Sequence, residues 1–280
     1  MILCFGCSFT DHTKVSFCEP TRDTDFIRWP KIIGKMLNKK SYNLALSGLS
    51  NDAIQQRIKT ELVKHHKEID FVFVQWTEWY RFSLMHNTMY SFMFTHLVDE
   101  WLETFHNAES EGYLKDISPN FKNNIDMESH HLMNMMHFLN YRYEKDTTEA
   151  EKRRGIASKD FINYFVIGVY HTIQKFCEAY NIPIIHIQGV GITPTEGYCN
   201  VLNVQYGQYQ KEMLENYMEL FVDNFIGWPI MPALGGHTIA DKLDEHGEDL
   251  YISIMDRHPN AEGHEMIAEL FLDRYKMLYV

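Results

Sequence analysis

The sequence predicts an α/β protein built on a central parallel sheet. Three observations predict it. Short, continuously apolar runs recur at Ile2–Phe5, Phe71–Gln75 and Ile182–Ile187, and a strand that is apolar at every position is one covered on both faces. Stretches with apolar residues at helical spacing lie between the runs. The connections from Ile2 to Gln75 are short, which is the strand–helix–strand rhythm of a parallel sheet.

Taken in order, Ile2–Phe5 reads as a buried strand that stops at Gly6 and presents Ser8 at the tip of a tight turn. That serine is either a nucleophile or the cap of the next helix. Residues 11–28 are polar and irregular and read as a loop. Trp29–Asn38 is a helix with Pro30 at its first position. Tyr42–Leu46 is a second strand, ending in the polar turn Ser47-Gly48-Leu49-Ser50-Asn51. Asp52–His66 is amphipathic, with Ile54, Ile58 and Leu62 on one stripe. Phe71–Gln75 is the third strand. Residues 84–160 are rich in Met, His, Phe and Tyr and then strongly charged, and they read as a helical insertion in a single domain spanning 1–280. Phe161–Tyr180 is a helix and Ile182–Ile187 a fourth strand, with Pro183 near its start where a missing donor is tolerated. Lys211–Phe225 reads as helix, Trp228–Asp249 as loop, and Ala261–Leu278 as the last helix, announced by Pro259 and Asn260.

Composition narrows the function. The 280 residues carry 45% hydrophobic and 14% aromatic side chains, enough for a packed core. The net charge of −12 argues against a general nucleic-acid binder, which needs a basic face to neutralise phosphates. No apolar run approaches the roughly 18 residues of a membrane span. No secretory leader is evident at Met1, so a cytoplasmic protein is expected. The five cysteines are odd in number and irregular in spacing, and read as structural thiols. His264-Glu265 begins an H-E-x-x-H pattern, but Ala268 stands where the second histidine belongs, so no zinc helix is present. His264 itself reads as a partly buried helix residue. Neither nucleotide-binding glycine pattern occurs. No metal or organic cofactor is expected.

Serine hydrolysis needs a hydroxyl, a neutral imidazole, a group that orients it, and donors where the oxyanion develops. Candidates for all four sit at the ends of expected strands or just before an expected helix. These are Gly6-Cys7-Ser8-Phe9-Thr10, Gly48-Leu49-Ser50-Asn51, Gln75-Trp76-Thr77-Glu78, and Asp256-Arg257-His258-Pro259-Asn260-Ala261-Glu262-Gly263-His264.

These blocks resemble those of the SGNH/GDSL-type hydrolases, an esterase-like superfamily. The resemblance implies a flavodoxin-like α/β/α sandwich. It implies Ser8 as nucleophile, His258 as general base and then acid, and Asp256 as the group that orients His258. It also implies an oxyanion hole from the N–H groups of Ser8 and Gly48, completed by Thr77 or Gln75. Two departures stand out. Cys7 occupies the family's Asp position in the first block, and the third block lacks the family's Gly and Asn. A further difference is that Asp256 precedes His258 by two residues rather than three. Asn51, in the second block, is placed with the substrate-binding residues. So are Trp76, Trp79, Tyr80 and Arg81, which follow the third strand and offer stacking faces for sugar rings and a cation for an anion. The expected activity is hydrolysis of a small acyl ester, acetyl foremost, with a carbohydrate-linked alcohol as the substrate class. Two alternatives stay open at this point: a non-catalytic binding or structural module on the same fold, and an acyltransferase using the same site.

Overall fold

The computed structural model describes residues 1–12, 25–77, 81–85, 89–93, 164–191, 211, 214–221, 223–254 and 256–280. All of them fall within one compact unit, Met1–Met93 with Ile162–Val280.

The sheet begins at β1, Ile2–Phe5, where all four residues are buried. It is flanked on one side by β2, Ser41–Asn43, and on the other by β3, Phe71–Trp76. Beyond β3 lie β6, Ile184–Gln188, and β7, Phe225–Ile226. Every pairing in this five-stranded sheet is parallel, in the order β2-β1-β3-β6-β7. Counting only these strands in chain order gives 2-1-3-4-5, the flavodoxin-like doubly wound order.

Helices cover both faces. On one, α1 (Trp29–Met36) and α5 (Ala261–Tyr279) pack together. Their Trp29 and Phe271 rings lie 4.6 Å apart, and Phe271 meets Phe73 of β3 edge-on at 5.1 Å. Ile2, Cys4, Phe71, Phe73, Ile185 and Ile187 complete this core, at alternate positions of their strands. The intervening residues Leu3, Phe5, Val72 and Val74 are equally buried and face the other way. There α2 (Asn51–His65) and α3 (Thr172–Ala179) close the second layer. Each such fully buried aliphatic or aromatic side chain stabilises the fold by about 1.5–3 kcal/mol.

Several elements differ from the sequence reading. The β2 ladder is shorter than Tyr42–Leu46, although Leu44 and Leu46 still donate to the Cys4 and Gly6 carbonyls as the chain runs on beside β1. The stretch expected to be helix up to Phe225 ends in strand: Phe225 and Ile226 pair with His186 and Ile187. A two-residue edge strand is too short to show a period of its own. Within the expected loop 228–249 lies α4, Ile239–Asp244. Its signal was a capping box: the Thr238 side chain accepts from the Asp241 N–H, and Asp241 accepts from the Thr238 N–H. The segment before α3, Tyr164–His171, is wound as a π-helix rather than α. The helical insertion expected at 84–160 opens differently, with an antiparallel pair, β4 (Arg81–Met85) and β5 (Met89–Met93). Residues 94–160 lie outside the described residues.

Candidate active site

In a sheet of this order the connections from the two strands at the reversal run to opposite faces, leaving a crevice at the carboxyl ends of β1 and β3. Ser8 follows the carboxyl end of β1 by three residues.

The turn that carries it is held from below. Cys7 carbonyl oxygen accepts from the N–H groups of Thr10 (3.0 Å) and Asp11 (2.9 Å). Gln75, fully buried at the end of β3, uses its side-chain oxygen to receive the Thr10 hydroxyl (2.9 Å) and the Cys7 N–H (3.3 Å). The Thr10 hydroxyl in turn receives the indole N–H of Trp29 at 3.1 Å. A Cβ at Gly6 would stand 2.3 Å from the Thr10 hydroxyl and 2.8 Å from the Gln75 oxygen. That close approach is what requires glycine there.

His258 arrives from the other end of the chain. Its Nε2 lies 2.8 Å from Ser8 Oγ and its Nδ1 lies 2.5 Å from Asp256 Oδ1. A carboxylate only accepts, so Nδ1 carries the proton and the Nε2 lone pair faces the serine hydroxyl. The two-residue spacing is accommodated by an Asx turn, in which Asp256 Oδ1 also receives the His258 main-chain N–H at 3.2 Å. The loop is cross-bonded around this turn. Ile252 donates to the His258 carbonyl (2.9 Å), Ser253 exchanges two bonds with Asp256, and Asn260 donates to the Leu250 carbonyl and caps α5. Phe9 packs edge-on against the imidazole at 5.4 Å. Asp256 is buried, whereas Ser8 and His258 are partly exposed.

The second block lies alongside. Gly48 sits at φ +84, which a side chain would strain. Among the described residues, neither the Ser8 nor the Gly48 main-chain N–H donates to a partner. Ser50 caps α2 by accepting from Ala53.

Four of the expected site residues are placed differently. Gln75, Thr77, Asn51 and Trp76 are all at 0% exposure. Gln75 builds the serine turn, and its amide donates to the Trp76 carbonyl. Asn51 spends both ends of its amide on Thr77, accepting from its N–H (2.8 Å) and donating to its carbonyl (3.0 Å). It ties the start of α2 to the end of β3 instead of meeting a substrate. Thr77, pinned that way, presents no surface to a ligand. Trp76 is core: it donates to His186 Nδ1 (3.1 Å) and packs against Tyr170. Trp79 and Tyr80, and the side chain of Arg81, lie outside the described residues.

Other titratable groups are structural. Burial pushes His186 down to about 3 and His264 well below its ordinary value, the latter helped by the positive charge of Arg28 and by His258. Burial also pushes the Cys4 thiol up, and Cys177 to about 12. Among the described residues, no three of His, Cys, Asp and Glu gather where they could hold a metal ion, and no helix is long and apolar enough to cross a membrane.

No family model and no curated protein matches the chain. Among solved structures it is similar to a member of the lipolytic G-D-S-L family from Veillonella parvula, at 15% identity and TM-score 0.41, over 99% of this chain and 98% of that one. It is similar to TesA at 9% identity and TM-score 0.46, over 99% and 98%. A variant of Axe2, an acetyl xylan esterase from Geobacillus stearothermophilus, matches at 12% identity and TM-score 0.44, over 100% and 95%. These likenesses are distant, and the strand order and the distances above stand without them.

Proposed function

We propose that the protein is a serine esterase that hydrolyses a small acyl ester, acetyl foremost, through Ser8, His258 and Asp256. One observation carries the reading: the continuous chain from Asp256 Oδ1 through His258 Nδ1 and Nε2 to Ser8 Oγ, at 2.5 and 2.8 Å. In this reading Ser8 Oγ attacks the ester carbonyl as its proton passes to His258 Nε2. The negative charge that develops on the carbonyl oxygen is received by the N–H groups of Ser8 and Gly48. The tetrahedral adduct collapses, and the leaving alkoxide takes the proton from His258. Water, deprotonated by the same imidazole, then releases the acid and restores Ser8.

A carbohydrate-linked alcohol is the finer form of this reading. Its support is now narrower, resting on Trp79 and Tyr80 in the segment after β3, since Trp76 belongs to the core. An acceptor hydroxyl in place of water would turn the same steps into acyl transfer. The non-catalytic alternative gives no reason for a histidine held between a serine and a buried carboxylate.

Turnover of 4-nitrophenyl acetate tests the proposal. Ser8→Ala and His258→Ala are each expected to lower kcat/KM by at least about 10³-fold. Turnover that survives Ser8→Ala unchanged would sink it.

A further inference from the structure

Among the described residues, the hydrogen bonds that link Asp256, His258 and Ser8 do not reach the loop carrying Gly48. It is held by a fourth group, Asp11, three residues after Ser8 on the same turn. Asp11 is 2% exposed, and its Oδ2 receives both the Ser47 N–H (2.7 Å) and the Ser47 hydroxyl (2.8 Å). A single carboxylate oxygen therefore spans the turn after β1 and the loop after β2, and it grips the residue immediately before Gly48. With Ser47 N–H engaged, the next N–H in the chain is that of Gly48, which donates to no described residue. The same two segments are joined a second time by Asn43, which donates to the Thr10 carbonyl at 2.6 Å and accepts from the Ala45 N–H at 3.1 Å.

A buried carboxylate needs a countercharge. Burial lowers the pKa of Arg28, itself 5% exposed, and the negative charges of Asp11 and Asp25 work against that to favour its charged form. Its guanidinium lies 4.0 Å from the Phe26 ring centre and donates to His264 Nε2 at 3.2 Å. A charge so embedded is a costly way to fasten a loop unless the loop must sit in one place. A neutral hydrogen bond would hold it less firmly, since bonds to ionised acceptors are roughly twice as strong.

We propose that Asp11 is the positioning residue of the oxyanion hole, setting the Gly48 N–H in register with the Ser8 N–H. The proposal rests on the hydrolase reading above, because it assigns those two N–H groups to the oxyanion. Asp11 does not touch the ester. Its effect is on where the second donor stands when charge develops, so it acts on kcat and leaves ground-state binding alone.

The test compares Asp11→Ala, Asp11→Asn and Ser47→Ala on 4-nitrophenyl acetate, with amide hydrogen exchange on each protein. Misplacing one donor by about 1 Å costs on the order of 10²-fold. Asp11→Ala is expected to lower kcat by about that much, with KM within roughly threefold of wild type. Asp11→Asn keeps one neutral acceptor and is expected to recover part of the loss. Ser47→Ala, which retains the N–H bond, is expected to be the mildest of the three. Exchange in Asp11→Ala should accelerate at residues 45–49 and stay unchanged at β3. The proposal is overturned if an active protein keeps its kcat in Asp11→Ala, or if exchange accelerates equally at β3, which would mark general destabilisation. A wild-type protein with no turnover overturns the hydrolase reading and the catalytic role of Asp11 with it, and that result is separable from the other two.

Discussion

Replacing Asp256 with Asn removes one charge and almost no volume. The Asn side-chain oxygen can still receive the His258 main-chain N–H, so the Asx turn that folds the loop is retained. In the proposed mechanism, what is lost is the carboxylate opposite the imidazolium that forms when His258 takes the serine proton. With charge centres roughly 4 Å apart and an effective dielectric near 20, that attraction is about 4 kcal/mol. The imidazole is 26% exposed, so solvent screens part of it. A loss of about 2–4 kcal/mol in transition-state stabilisation follows, or ~30- to 1000-fold in kcat. The assay is steady-state hydrolysis of an aryl acetate, with thermal unfolding measured alongside. KM should change little and the melting temperature by no more than a few degrees. A fall in kcat of less than about threefold would refute the assignment. Asp256 would then be a turn-former, with the imidazole oriented by something else.

Three further outcomes are expected. Stability should decline as pH falls below about 6.5, because buried His186 and His264 stay neutral in the fold while the unfolded chain takes up protons on both. For His186 the loss is about 1.6 kcal/mol between pH 6.5 and 5 and continues towards its folded value of about 3, and His264 adds to it in the same direction. Urea unfolding at both pH values measures it, and His186→Gln should shrink the pH dependence whatever it does to absolute stability. Trp76→Phe should cost about 1–3 kcal/mol of stability by leaving His186 Nδ1 without its donor, and should leave KM for a small ester unchanged. A large KM effect would return Trp76 to the substrate wall. Gly6→Ala should abolish most activity, since the new Cβ collides with Thr10 and Gln75 and displaces the Ser8 turn; wild-type kcat in that variant would show that the turn tolerates the shift.

The parts of the fold legible in the sequence were those buried on both sides. Ile2–Phe5, Phe71–Trp76 and Ile184–Gln188 are continuously apolar or nearly so because helices cover both faces of the sheet. The edge strand β7 has two paired residues and no period to read, and α4 sits among prolines and glycines that argue for loop, so its one local signal, the Thr238-x-x-Asp241 box, was passed over. At the site, the resemblance of the sequence blocks to those of a known hydrolase family brought out Ser8, His258 and Asp256 as candidates. It did not say how a two-residue interval could work, because the answer is an Asx turn made by one oxygen atom. Polar residues at strand ends were the hardest to read. Gln75, Asn51 and Asp11 look alike in sequence to ligand-binding side chains. Each instead bonds to main chain that is distant in sequence, at Cys7, Thr77 and Ser47. Such partners have no local signature.

Ser8 as a nucleophile activated by His258 is the premise of the proposed hydrolysis. It is tested most directly by treating the protein with a fluorophosphonate and mapping the adduct by mass spectrometry. The expected result is a single adduct on the peptide containing Ser8, absent from a folded His258→Ala protein. No adduct, an adduct on a different serine, or labelling of Ser8 that His258→Ala leaves intact would contradict it.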